Sequence, residues 1–271
     1  HNIGVPPGVF NLVSGHGSEI GEILSGHPDV DMVSFTGSTS AGIRVSQAAA
    51  PTVKRVTLEL GGKSANVILN DADVIRAAKS AIGACFQNSG QTCSALTRLI
   101  IPNSHKDEII EIISSRVNGY NPGDPLDEKT RCGPMVSSKQ QQSVQSYIQS
   151  GIDEGANLIA GGNGMPEGCE NGYFVRPTAF SDVTPEMKIW KEEIFGPVLV
   201  VTTYETEEEA LELANDSIYG LSGGVWGSEE RALEFAKKMR TGQVSINGGP
   251  FNISAPFGGY KQSGNGRELG S

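Results

Sequence analysis

Short β-rich runs bounded by glycine alternate with helical patterns along the whole chain, and this alternation constrains the fold more than any other feature. Residues 31–35, 54–60 and 65–69 are runs of the first kind, and residues 73–87 have helical spacing. The 35 glycines among 271 residues are nearly double the share of roughly 7 % in average proteins, which implies many tight turns. The pattern therefore predicts an α/β fold.

The remaining elements follow from the same periodicities. Asp71 or Asp73 would cap the helix over residues 73–87. Its apolar positions recur at three and four and predict one buried face: Val74, Ala77, Ala78, Ala81, Ile82 and Cys85. Further strands are predicted at residues 10–13, 96–101, 156–160, 195–203, 221–226 and 243–247, further helices at 18–24, 40–50, 105–117, 138–154, 206–215 and 228–240, and loops at 118–134 and 161–172.

Charge and cysteine content limit the function classes. Lys and Arg number 21 against 31 Asp and Glu, and the net charge of −10 disfavours nucleic acid and anionic membranes as partners. No apolar run approaches the roughly 18–20 residues of a membrane span. The four cysteines, Cys85, Cys93, Cys132 and Cys169, form neither a disulfide framework nor a metal motif, so we expect no metal site and a reducing, cytoplasmic location.

The turn after the predicted strand at residues 31–35 is a candidate anion site. Gly37 and Ser38 lie between a strand and a helix, where unpaired N–H groups and the positive helix end can hold a phosphate. The turn lacks the Lys and Ser/Thr of a nucleoside-triphosphate loop. Taken alone, it is more often an ordinary strand-to-helix connection.

Two further residues are candidates for chemistry. Cys93 has small or polar neighbours and flexible Gly90 beside it, so it is expected to be accessible, whereas Cys85 on the apolar helix face is a packing residue. Glu59 ends an apolar strand, where burial would raise its pKa and suit it as a general base near neutral pH. The residues alone leave open that Cys93 is inert and that Glu59 points to solvent.

Four motifs are far more specific together than apart: VTLELGGKSANVIL, FQNSGQTCSALTRLIIP, KEEIFGPVLVV and PFGGYKQSGNGRELG, in that order. In this combination the chain resembles the aldehyde dehydrogenase superfamily, with matches from Gly4 to Gly270. The resemblance implies a Rossmann-like cofactor domain and an α/β catalytic domain with a largely parallel sheet. It also implies oxidation of an aldehyde to a carboxylic acid with NAD or NADP.

The resemblance assigns a role to each matching residue. Cys93 would be the nucleophile that forms a thiohemiacetal and then a thioester, with its backbone N–H in the oxyanion hole, and Glu59 would activate the hydrolytic water. Because Glu59 is present, hydrolysis is favoured over transfer to coenzyme A. The other implied contacts are Gly37 and Ser38 with the pyrophosphate, Gly17 and Gly21 with adenosine, Leu60 with the nicotinamide amide, Glu193 with its ribose, Phe195 with its ring, and Phe251 and Phe257 with the substrate funnel.

The resemblance also implies a domain division. Residues 1–60 would be the end of the cofactor domain, residues 61–262 the catalytic domain, and residues 263–271 a tail leading to an oligomerisation segment. Family members are longer, so part of the cofactor domain and one oxyanion-hole residue would lie outside this chain. We expect the chain to have exposed sheet edges and a tendency to self-associate. The resemblance also implies that the parent protein is a homodimer or homotetramer.

Two other functions stay open. The chain on its own could be a cofactor-independent cysteine esterase, because thioester chemistry needs only Cys93 and Glu59. It could also be a catalytically silent fragment. The motifs do not identify the aldehyde.

Overall fold

The computed structural model describes residues 3–270, which form a three-stranded sheet, a seven-stranded sheet and a two-stranded ribbon. The strands are β1 (Met32–Thr36), β2 (Arg55–Glu59), β3 (Ala65–Ile68), β4 (Arg98–Pro102), β5 (Asn157–Ala160), β6 (Thr178–Ser181), β7 (Val198–Tyr204), β8 (Tyr219–Gly220), β9 (Ser222–Trp226), β10 (Gln243–Ile246), β11 (Tyr260–Lys261) and β12 (Gly264–Asn265).

The helices alternate with these strands and confirm the α/β class. They are α1 (Glu22–Gly26), α2 (Thr39–Ala49), α3 (Val74–Phe86), α4 (Lys106–Asn118), α5 (Ser138–Asp153), α6 (Lys188–Lys191), α7 (Glu207–Asn215) and α8 (Glu229–Ala236). Asp73 caps α3, because its Oδ1 accepts the N–H of Arg76 at 3.0 Å. The six apolar positions expected on its inner face are all buried. Within residues 3–270, no helix has the length and apolarity to cross a bilayer.

The large sheet has the order β10-β9-β3-β4-β7-β6-β5 and is parallel except for the antiparallel pair of β5 and β6. Side chains along its strands alternate between the two faces of the sheet. Val67, Ile100 and Val200 pack under α5, α7 and α8, whereas Leu99 and Val201 pack under α3 and α4. Helices thus cover both faces of a buried parallel sheet.

The small sheet has the order β1-β2-β12. Strands β1 and β2 are parallel, and Gly264 of β12 pairs antiparallel with Glu59, so the chain returns to the small sheet after completing the large one. Both β1 and β2 end at the space between the sheets, whereas β4 and β7 begin there. The carboxyl end of one sheet therefore faces the amino end of the other.

A buried arginine fixes this amino end. Arg98, the first residue of β4, is 1 % exposed, and its guanidinium carbon lies 4.6 Å from the centre of the Trp190 ring. The guanidinium donates to backbone carbonyls at 2.8–3.1 Å, those of Lys63, Leu213, Ala214 and Asp216. It thereby ties the start of β4 to Lys63, two residues before β3, and to the end of α7.

The structure departs from the expected elements at several places. The predicted strand at residues 10–13 is wrong: the segment pairs with no strand in the described part of the chain, residues 3–270, and Phe10, Leu12 and Val13 are 60–82 % exposed. Strand β7 begins at Val198 rather than at Phe195, because Phe195 has a left-handed backbone with φ of 55°. Strand β6, which no local pattern announced, pairs with β5 and β7.

Candidate active site

A cleft of about 660 Å³ lies between the two sheets, within the usual range for a small-molecule site. The small sheet contributes Gly37, Ser38, Glu59 and Leu60 to its walls. The large sheet contributes Cys93 from the turn before β4, and Glu193 and Phe195 from the segment before β7. Most of the residues singled out in the sequence therefore meet in one place, although they are spread over much of the chain.

The turn between β1 and α2 has the geometry of an anion site. Ser38 caps α2, since its Oγ accepts the N–H of Ala41 at 3.3 Å. The N–H of Gly37 donates to the carbonyl of Glu59 at 3.1 Å, which joins the turn to the end of β2. Within residues 3–270, the N–H groups of Thr39 and Ser40 in the first turn of this 11-residue helix have no hydrogen-bond partner, so they can bind a negative group at the cleft wall.

Glu59 is buried, as its position at the end of an apolar strand indicated. It is 7 % exposed, and its pKa is raised to about 7, first by burial and then by the negative charge of Glu268, while Arg267 opposes the rise. Within residues 3–270 its Oε2 has no hydrogen-bond partner. Gly258 lies beside the carboxyl, and a Cβ built there would stand 2.8 Å from Oε1. The raised pKa is confirmed, and the role as base stays a prediction.

Cys93 follows a strained turn. Asn88, Ser89 and Gly90 are all left-handed, with φ of 51°, 56° and 72°, which is uncommon for non-glycine residues. Ser89 Oγ donates to the carbonyl of Gly133 at 3.0 Å. Gln91 accepts the N–H of Val136 at 2.8 Å through its side-chain oxygen. The loop before α5 therefore holds the turn in this conformation.

Cys93 is also the most accessible of the four cysteines. It is half-buried, whereas Cys85, Cys132 and Cys169 are buried. The pKa of the Cys93 thiol is raised, first by burial and then by the charges of Glu193 and Glu59. The backbone N–H groups of Ser94 and Cys93 act in the opposite direction. The thiol is thus reachable, but it becomes a thiolate only at alkaline pH or when a neighbouring base accepts its proton.

Glu193 bridges the two walls of the cleft. Its Oε1 accepts the N–H of Gly62 at 3.1 Å, and a Cβ on Gly61 would collide with the carboxylate. Burial raises its pKa, while the Gly62 N–H and the Lys63 ammonium oppose the rise. The missing side chain at Gly61 therefore allows this carboxylate to approach the backbone closely.

Four of the sequence candidates lie outside the cleft walls. Gly17 and Gly21 bound an exposed π-helical turn before α1. The rings of Phe251 and Phe257 pack edge to face with centroids 5.7 Å apart. The Phe257 backbone pairs with that of Glu268, which places this aromatic pair next to the segment that bears on Glu59.

Several cleft residues carried no local signal in the sequence. Gln140, Ser143 and Tyr147 project into the cleft from α5, which looks like a polar surface helix in one dimension. Arg267 and Glu268 reach Glu59 only because β12 pairs with β2. Their proximity depends on tertiary structure, and no spacing rule indicates it.

The family model described as "Aldehyde dehydrogenase family" matches residues 1–271. The chain belongs to the aldehyde dehydrogenase family. The "3-succinoylsemialdehyde-pyridine dehydrogenase" of a Pseudomonas species is 55 % identical over 99 % of this chain and 56 % of its own length. The chain thus spans about half the length of the curated relatives it matches.

Solved aldehyde dehydrogenases share the fold. A cysteine-to-alanine mutant of aldehyde dehydrogenase C from Pseudomonas syringae, in complex with NAD⁺ and octanal, matches with a TM-score of 0.98 and 50 % identity, over 99 % of this chain and 56 % of that one. A betaine aldehyde dehydrogenase double mutant from Staphylococcus aureus with NAD⁺ matches with a TM-score of 0.96 and 41 % identity, over 99 % and 54 %. The largely parallel α/β architecture is that of these aldehyde dehydrogenases.

Proposed function

We propose that this chain carries the catalytic part of an NAD- or NADP-dependent enzyme that oxidises an aldehyde to a carboxylic acid. The observation that carries the proposal is the single cleft in which an accessible cysteine, a buried glutamate of raised pKa and a free helix N-terminus meet. Matched relatives are named for, or bound to, different aldehydes, so the proposal extends to aldehydes as a class.

The cleft residues fit a dinucleotide. The N-terminus of α2 beside Gly37 and Ser38 suits a pyrophosphate, and Glu193 offers a carboxylate to ribose hydroxyls. Leu60 and Phe195 supply apolar surface near Cys93. When bound, a nicotinamide cofactor would accept the two electrons and the hydrogen removed from the aldehyde.

Cys93 performs the first step. Its Sγ bonds to the aldehyde carbon as a base takes the thiol proton, and the carbonyl oxygen gains negative charge in the resulting thiohemiacetal. The backbone N–H of Cys93 lies close enough to Sγ to influence its pKa, and it would donate to this oxygen. After oxidation, the acyl group is held on Cys93 as a thioester.

Glu59 performs the second step. Its carboxylate takes a proton from water while the water oxygen bonds to the thioester carbon. The carbon–sulfur bond then breaks, so that the acid is released and the proton held on Glu59 passes to the Cys93 sulfur to restore the thiol. A pKa of about 7 suits this role because a large fraction is deprotonated at neutral pH and yet remains basic. We expect the hydrolytic rate to rise with pH through about 7.

The domain division, assembly and location belong to the same proposal. Residues 1–60 contain β1 and β2 of the small sheet, and residues 61–262 contain the whole large sheet, which supports the division at the cleft. Exposed apolar side chains such as Ile3, Phe10 and Leu12 support self-association into a homo-oligomer. Four unpaired cysteines support a reducing compartment such as the cytoplasm.

The test is formation of reduced nicotinamide by the 271-residue chain with NAD⁺ or NADP⁺ and octanal as the probe aldehyde. We expect aldehyde-dependent reduction that Cys93→Ala abolishes and that Cys132→Ala, at a buried cysteine outside the cleft walls, retains. Reduction that survives in Cys93→Ala, or that is lost to the same extent in Cys132→Ala, would contradict the proposal.

A further inference from the structure

Two side chains on one face of α5 hold the segment that carries Glu193 and Phe195. The side-chain amide of Gln140 donates to the carbonyls of Ile194 at 3.1 Å and Phe195 at 3.0 Å. The Tyr147 hydroxyl donates to Glu192 Oε2 at 2.7 Å. Gln140 and Tyr147 are seven residues apart, which is about two helical turns, so they lie on the same face. Residues 192–195 are therefore gripped at both ends.

The segment needs such support because its backbone is strained. Phe195 has φ of 55°, a left-handed conformation that a side chain with a Cβ disfavours. Its successor Gly196 packs directly on α5, since a Cβ there would stand 2.5 Å from a methyl group of Val144. Without a partner for the two carbonyls, the segment could relax to the extended conformation that the sequence alone favours before β7.

Helix α5 is a rigid base for this grip. Ser137 caps it by accepting the N–H of Gln140 at 3.2 Å, so the backbone of the gripping residue is itself fixed. Val144 and Ile148 on the same helix are fully buried in the core under the large sheet. The position of the Gln140 amide is thus set by the core rather than by the cleft.

We propose that Gln140 and Tyr147 are positioning residues that set the direction of the Glu193 carboxylate and the Phe195 ring in the cleft. Gln140 stabilises the left-handed turn at Phe195, and Tyr147 anchors the segment on the other side of Glu193. The inference rests on the proposed function, in which Glu193 and Phe195 contact the nicotinamide riboside. Loss of these hydrogen bonds weakens cofactor binding even though the side chains of Glu193 and Phe195 are still present.

The decisive variant is Gln140→Met, with Gln141→Met as its matched control. Methionine keeps the length of the side chain and removes the amide donor. Gln141 makes an equivalent bond from the same helical turn, but it donates to the carbonyl of Phe174 at 2.8 Å and is not part of the cleft wall. Gln140→Met loses two side-chain bonds to backbone and Gln141→Met loses one, and only Gln140→Met loses bonds to residues 192–195.

Two readouts are made on the full chain. Hydrogen–deuterium exchange of a peptide covering residues 192–197 should be about tenfold faster in Gln140→Met and unchanged in Gln141→Met. Fluorescence titration with NADH should give a Kd about tenfold weaker in Gln140→Met and within about twofold of the unaltered chain in Gln141→Met. A thermal shift of similar size in both variants would show that a general loss of stability does not explain the difference.

The two readouts separate this inference from the proposed function. Unchanged exchange in Gln140→Met, or faster exchange with an unchanged NADH Kd, overturns the positioning role. Failure of the unaltered chain to bind NADH contradicts the proposed function, while exchange still decides whether Gln140 holds the segment. Tyr147→Phe provides the second variant: it removes only the hydroxyl bond to Glu192 and should speed exchange at residues 192–193 with a smaller effect on Kd.

Discussion

The two sheets that wall the cleft bury their strands to different extents. Every residue of β3, β4 and β9 in the large sheet is buried. In the small sheet β1 has no buried residue, and β2 is buried only at its last two positions, Leu58 and Glu59. The large sheet is covered by helices on both faces, whereas β1 is an edge strand with large apolar side chains such as Met32 exposed.

This difference locates the well-packed part of the active site. The turn before Cys93 and the segment at residues 192–195 lie on the buried core of the large sheet. The turn at Gly37 lies on the small sheet, which is more exposed. Glu59 lies where the two meet, because β12 and the residues after it cover the end of β2. We therefore expect the covalent chemistry to be supported more rigidly than the phosphate contacts.

The largest expected effect follows from Arg98. Arg98→Met should lower the free energy of unfolding of the large sheet by about 3–5 kcal/mol, because it leaves the carbonyls at the end of α7 unsatisfied in the core. Urea denaturation measures the change, with exposed Arg131→Met as control. A loss below about 1 kcal/mol would mean that the amino end of the large sheet is not fixed by this residue.

A matched pair of valines compares the sheets directly. Val200→Ala in β7 removes two fully buried methyl groups and should cost about 2 kcal/mol, whereas Val33→Ala in half-exposed β1 should cost well under about 1 kcal/mol. Both are measured by urea denaturation. Equal losses would show that the small sheet is as well packed as the large one.

The pH dependence of stability tests the burial of Glu59. Its pKa is about 7 in the folded chain against 4.5 for the ordinary carboxyl, so between these values the folded state binds the extra proton and its stability falls as the pH rises. Glu59→Gln removes this loss and should be more stable than the unaltered chain above pH 7. Because Glu59 lines the open cleft, the expected gain is about 1 kcal/mol, less than the full shift would give.

Denaturation at pH 5 and pH 8 measures that gain, with exposed Glu111→Gln as the control. The gain should be smaller at pH 5 and absent from the control. Equal stabilities of the Glu59→Gln variant and the unaltered chain at pH 8 would contradict the desolvation of Glu59. They would also contradict the burial of the end of β2 where the two sheets meet.

The smallest effect concerns the connection into β2. Val53 is 91 % exposed with φ of 55°, a conformation that a β-branched side chain strongly disfavours. Val53→Gly relieves this strain at some cost in unfolded-state entropy and should raise the free energy of unfolding by about 0.5 kcal/mol. Val136→Gly, at an exposed valine outside the left-handed residues, should lower it by a similar amount.

Local physics predicted the regular elements better than the site. The buried face of α3 and its Asp73 cap follow from spacing and hydrogen bonding within one helix, and both are confirmed. The strand predicted at residues 10–13 is wrong because a strand also needs a partner. The left-handed turn at residues 88–90 and the grip of Gln140 on Phe195 depend on contacts between distant segments, so no single stretch of sequence contains them. The motifs predicted Cys93 and Glu59 as candidate site residues, and only the structure shows which side chains surround them.

Reactivity of the Cys93 thiol in the cleft can be measured with a brief, limiting dose of iodoacetamide followed by peptide mapping. We expect Cys93 to be labelled well ahead of Cys85, Cys132 and Cys169. Its labelling rate should rise with pH because burial and two carboxylates raise the pKa of the thiol. Labelling of all four cysteines at similar rates, or of a buried cysteine first, would contradict this expectation.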